Sequence, residues 1–208
     1  SDWSSDVCSS DLIFLESMDG QDIHPLFLTL LSGSFAKGTR VFLSLTAKAR
    51  PVWQRLSQSY QLDTSCVTLI SPDSEDYGIA LAQCGRLITD QPLPWYFHKG
   101  TKQRHILLCT ESLIPVTSAN CLTSRHDLAK WQHTMFTCDL IVFPNKDILE
   151  NYMEHTMIAG ICHTDTYFST DNAALSTYLL KELWTPVDPS LPIFTEADIF
   201  RQNEGDRK

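Results

Sequence analysis

Four short runs of apolar, β-prone residues decide what this chain can fold into. They are Val41–Leu45 (VFLSL), Cys66–Ile70 (CVTLI), Ile106–Cys109 (ILLC) and Leu140–Phe143 (LIVF). None shows the apolar–polar alternation of a half-exposed strand, so each must be covered on both faces, as strands of a parallel sheet are.

The stretches between the runs carry helical signals. Pro51 suits the first turn of a helix, and Val52, Leu56 and Tyr60 then share one face. SPDSE (Ser71–Glu75) is a helix start, and the helix predicted over Tyr77–Cys84 closes on Gly85 at the C′ position. Ser124 and Asp127 have capping-box spacing, which predicts a helix over Ser124–Met135. A further helix is expected over Asp147–Met157, with Ile148, Tyr152 and His155 on one side and Gly160 at its end. Ile23–Leu31 has helical spacing, Trp95–Phe97 is a candidate strand, and Ile161–Phe168 reads as extended. Tyr178–Leu183 fits a helix or a strand equally. Strand and helix alternate, so the expected fold is one α/β domain: three layers, a mainly parallel sheet, helices on both faces.

Composition narrows the function. With 208 residues, 43% hydrophobic and 20% charged, the chain can bury an ordinary core. A net charge of −9 argues against a nucleic-acid surface, which needs a basic patch to meet phosphates. No apolar run reaches the roughly 18–20 residues of a membrane span, so direct membrane insertion is not expected. The seven cysteines (8, 66, 84, 109, 121, 138 and 162) have no zinc-ligand or C-x-x-C spacing. Most sit in apolar runs and read as small core hydrophobes in a reducing cytoplasm.

The two ends read differently from the middle. Ser1–Leu12 (SDWSSDVCSSDL) lacks an initiator Met and the basic start of a signal peptide, and it resembles translated sequencing-adapter sequence. It is set aside as a non-native leader. The domain is expected over 13–200, followed by a polar tail over 201–208 (RQNEGDRK). On this reading the natural start of the chain is missing.

Three motif candidates fail on chemistry. Gly33–Gly38 (GSFAKG) has the glycines of a phosphate-binding loop, but Thr39 and Arg40 occupy the places of its Lys and Ser/Thr. The group that reaches the β/γ-phosphates and the one that holds magnesium are both gone, so nucleotide hydrolysis is not expected. Gly160–Asp165 (GICHTD) matches the string around a zinc-ligand Cys of alcohol dehydrogenases, without the other ligands that a catalytic zinc needs. His105 followed by Thr117–Asn120 (TSAN) resembles the H-x-K…G-S-x-N motif of the phospholipase D superfamily. Leu107 replaces the Lys and Thr117 the Gly. A degenerate nuclease or phosphodiesterase, with His105 and Asn120 as its catalytic pair, is therefore the alternative function.

Two stretches together resemble the N-terminal domain of the BcsE family, regulators of bacterial cellulose secretion. The first is Phe35–Glu75, with Gly38, a strand carrying Phe42, a helix through Gln61 and Thr64, then VTLISPDSE. The second is Ile106–Asn145, with ILLC, a helix with Leu122, Ser124, Asp127 and Lys130–Trp131, then CDLIVFPN. The resemblance implies a degenerate RecA-like ATPase fold without nucleotide machinery, and no enzyme activity. It implies a non-enzymatic scaffold for cellulose-secretion subunits, ATPase-type and small regulatory partners, with a homodimer as a further option. Such a protein would be cytoplasmic and reach the inner membrane through those partners. The family binds cyclic di-GMP through an R-x-x-D motif in a C-terminal domain. No Arg in this sequence is followed by Asp three residues on, so no cofactor is expected here.

Overall fold

The computed structural model describes residues 9–17, 39–72, 74–109, 124–143, 145–155, 165–168, 177–179 and 181–183. In chain order these form β1 (Ser9–Ser17), β2 (Arg40–Leu45), α1 (Ala49–Ser59), β3 (Val67–Ile70), α2 (Glu75–Gln83), β4 (Cys84–Thr89), β5 (Arg104–Leu108), α3 (Arg125–Thr137), β6 (Leu140–Phe143), α4 (Lys146–His155) and β7 (Asp165–Phe168). Residues 177–179 and 181–183 are helical.

All seven strands pair in parallel, in the order β3-β2-β1-β4-β5-β6-β7. This is the doubly wound order with one strand added, and it reverses direction between β1 and β4. The three-layer α/β expectation is met. Its RecA-like refinement is narrower than anything this strand order supports.

The period-2 alternation of the strands sorts their side chains to two faces. Ile13, Leu15, Val41, Leu43, Ile88, Ile106, Leu108 and Val142 meet Ala49 and Trp53 of α1, and Leu179 and Leu183, on the first face. On the second face Leu12, Phe14 and Leu87 pack with Tyr77, Ala80 and Leu81 of α2. Further along that face Leu107, Ile141 and Phe143 pack with Trp131 and Met135 of α3 and Tyr152 of α4.

Local chemistry explains the element ends. Ser124 caps α3 by accepting the Asp127 amide at 3.1 Å. The Asp127 carboxylate receives the Ser124 hydroxyl at 2.6 Å instead of reaching back to the backbone, so half of the capping box forms. α1 stops where Gln61 turns to φ 52°, with Leu62 N–H bonded to Ser57 O and Gln61 N–H to Gln58 O. That pair of bonds is the Schellman arrangement, built here without glycine.

Several expectations need correction. Gly85 does not close the second helix. α2 ends at Gln83 and passes directly into β4, with Gly85 buried inside the strand. There it faces an irregularity in β1, where the register shifts between Ser9 and Ile13, and glycine suits such a disturbed ladder. Residues 95–97 form a turn, not a strand. The buried side of α1 is Ala49 and Trp53, with Leu56 partly covered, while Tyr60 is 59% exposed. β1 runs through the expected leader boundary: Ser9 pairs with Cys84, and Leu12 pairs with Arg40 and is buried. Cys66 is half-buried rather than in the core, unlike Cys84, Cys109 and Cys138. Ile23–Leu31, Gly33–Gly38, Gly160, and Cys8, Cys121 and Cys162 lie outside the described residues.

Candidate functional site

In open α/β sheets, ligands bind beyond the C-terminal ends of the strands, where the strand order reverses. Here that place is the end of β1 beside the end of β4. α1, α2, α3 and α4 each follow a parallel strand, so their N-termini gather along the same edge of the sheet. Their amide dipoles set a local positive field against the chain's net charge of −9.

The polar centre of this edge is Glu16. Its strand carries Leu12 and Phe14 to the second face, and the period of two puts Glu16 there as well. It is only 6% exposed. One carboxylate oxygen accepts the Tyr77 hydroxyl at 3.0 Å and the other accepts the Ser44 hydroxyl at 3.2 Å. Burial raises its pKa to about 7, the two hydroxyls oppose that rise, and the nearby Asp90 carboxylate adds to it. Asp90 is tied in through its own amide, which donates to Glu16 O at 3.3 Å. The Tyr77 hydroxyl is held well above the ordinary phenol range, first by burial and then by the Glu16 charge.

A second polar group lies alongside. His105 on β5 is fully buried, and its Nε2 lies 2.9 Å from the Thr89 hydroxyl. That hydroxyl donates to Gln91 O at 3.0 Å, so it accepts from His105, which is then the Nε2–H tautomer. Nδ1 is left as a buried acceptor without a partner. Burial, helped by the Lys99 charge, lowers the His105 pKa to about 3, and the ring is neutral. The backbone amide of His105 donates to Asp139 at 2.7 Å, and Lys99 pairs with the same carboxylate.

His105 is in the described core, on a strand, hydrogen-bonded to Thr89. Asn120 lies outside the described residues, so the two are not seen together. Leu107, at the position of the motif's Lys, is fully buried among apolar side chains. Thr39 is buried, and Arg40 opens a strand where a phosphate-binding loop would open a helix. No group of three or more metal-ligating side chains occurs among the described residues. No helix among them is long and apolar enough to cross a membrane.

Sequence reasoning missed Glu16, Ser44 and Tyr77. The signal was an acid inside the apolar run Ile13–Ser17 (IFLES), where a carboxylate needs buried partners.

No protein-family model and no curated sequence matches the chain. Solved structures do. A variant of the wall teichoic acid polymerase TagF, soaked with CDPG, gives a TM-score of 0.55 at 12% identity, over 86% of this chain and 45% of that one. A second TagF variant gives 0.52 at 12% identity, over 73% and 37%. The likeness is one of fold. The chain spans less than half the length of these TagF chains. These neighbours are enzymes, whereas the sequence pointed to a non-enzymatic module.

Proposed function

We propose that this is a nucleotide-ligand-binding domain, with its crevice at the C-terminal ends of β1 and β4. The observation that carries the reading is the reversal of strand order there, flanked by strands whose following helices start at that edge. The TagF variant soaked with CDPG shares this fold and lends support to a nucleotide-linked ligand. Glu16 shapes the floor of the crevice and does not react. Its exposure is 6% and both carboxylate oxygens are already occupied by hydroxyls.

Calorimetric titration of the chain with CDP, UDP and ADP tests this. Binding at micromolar to low-millimolar concentration is expected, with a matching rise in melting temperature by mass action. No heat and no shift with any of the three would end the reading.

A second proposal is the regulatory role in bacterial cellulose secretion that the sequence resemblance implies. The occupied state of Glu16 favours it, because a binding floor without a free acid or base suits a scaffold better than a catalyst. Cyclic di-GMP should not bind this chain, since no Arg-x-x-Asp pair is available. Pull-down with purified cellulose-secretion subunits separates the two proposals. Retention of none of them would remove the regulatory one.

A further inference from the structure

Glu16 is the last residue but one of β1, and Asp90 directly follows β4, so both acids stand at the strand-order reversal. Glu16 is in register with Ser44 on β2 and Thr89 on β4. It is buried, and its side-chain partners are two neutral hydroxyls, those of Ser44 and Tyr77. Among the described residues no cation is bonded to it. The titratable groups of α2 are Glu75, Asp76 and Tyr77, and the two acids are exposed. Arg40 opens β2, and Asp11 lies in the first half of β1, both towards the opposite end of the sheet. Arg86 of β4 alternates to the first face, away from Glu16. On β5 the nearest titratable group is His105, neutral and bonded to Thr89. The charge that does reach Glu16 is that of Asp90, and it opposes ionisation.

A buried carboxylate without a counter-charge favours the protonated form, and a second acid beside it strengthens that preference. The proton costs no hydrogen bond. A hydroxyl oxygen also accepts, so Ser44 or Tyr77 turns from donor to acceptor when Glu16 is protonated. A phosphate drawn to the helix N-termini along this edge is a further negative charge near the same carboxylate. In a partly buried site the two repel with little screening.

Resting on the nucleotide-binding reading, we infer that Glu16 is a proton switch of the crevice: it holds a proton while a phosphate-bearing ligand is bound, and once ionised it repels that ligand. Affinity for the ligand then falls as pH rises through neutrality, and by linkage binding takes up protons. A phosphate that raises the Glu16 pKa by about one unit weakens binding about tenfold from the acid to the alkaline limit.

The test is calorimetric titration of the full chain with CDP from pH 6 to pH 9, in buffers of different ionisation heat. Wild type is compared with Glu16→Gln, which carries the titration of CDP itself, and with Tyr77→Phe. Relative to Glu16→Gln, wild type should lose about tenfold in CDP affinity across the range and take up protons at about pH 7.5. Tyr77→Phe removes a donor that favours the ionised carboxylate, so its fall in affinity should come at higher pH. Identical profiles for wild type and Glu16→Gln overturn the switch and leave the crevice. Should Glu16→Gln not fold, a wild-type profile that Tyr77→Phe leaves unmoved overturns it instead. Affinity that rises with pH and requires magnesium means that ionised Glu16 serves a cation, and the inference is wrong. If wild type binds no CDP at any pH, the crevice reading fails and takes the switch with it.

Discussion

Tyr77 donates its hydroxyl proton to Glu16 across 3.0 Å of space and 61 residues of sequence. The bond ties α2 to the end of β1, and Ser44 ties β2 to the same carboxylate. Three elements thus share one buried acid, and its protonation state bears on all three.

Glu16 makes stability depend on pH. Its folded pKa, about 7, lies above the ordinary 4.5, so the folded state holds a proton that the unfolded state has already released. Stability from this group is complete below pH 4.5 and falls as pH rises towards 7. At about 1.4 kcal/mol per pH unit, the loss is on the order of 3 kcal/mol at most. Glu16→Gln keeps the size and removes the titration. Its melting temperature should therefore change less than that of wild type between pH 5 and pH 8. Parallel curves for the two proteins would show that Glu16 does not titrate there.

Trp131 anchors α3. It is 8% exposed, and it shares a cluster with Leu107, Met135, Ile141, Phe143 and Tyr152. Trp131→Ala should cost about 3–5 kcal/mol, the range for large aromatic truncations in cores. Denaturant unfolding measures it, and an unchanged midpoint would contradict the packing.

Gln103 replaces a loop. α2 runs straight into β4, and the Gln103 side chain reaches back to satisfy Leu81 O and Cys84 O. Gln103→Ala leaves both carbonyls dry, at about 1–3 kcal/mol for each. Faster hydrogen exchange at the end of α2 should accompany the loss; exchange as slow as in wild type would mean that another group takes over.

Gln61 is the reverse case. A side chain at φ 52° is strained, so Gln61→Gly should stabilise the end of α1 by up to about 1 kcal/mol. A lower melting temperature for the variant would show that the Gln61 side chain contributes more than its strain costs.

The thiols should separate by burial. Burial pushes the Cys84 pKa up to about 12, and that of Cys109 higher still. Alkylation of the native protein should be slow at Cys84, Cys109 and Cys138 and faster at half-buried Cys66. Equal rates at all four would contradict the burial.

The sequence by itself determined the fold class and much of the second half of the sheet. The runs at 106–109 and 140–143 are apolar throughout, and only burial on both faces accounts for that; the structure makes them β5 and β6. The Ser124 cap was also legible, because capping is a contact between residues three apart. Tertiary structure alone decided β1 and β4, the two strands at the strand-order reversal. β4 contains a glycine and an arginine, and its sequence resembles a helix end until β1 pairs with it. The acid at Glu16 stands out inside its apolar run, but its partners were illegible for the same reason. A carboxylate in a strand looks like an error until Ser44, 28 residues away, and Tyr77, 61 away, bring their hydroxyls to it. Local propensity records what neighbours in sequence can do for one another, and the candidate site is built from residues that become neighbours only when the sheet closes.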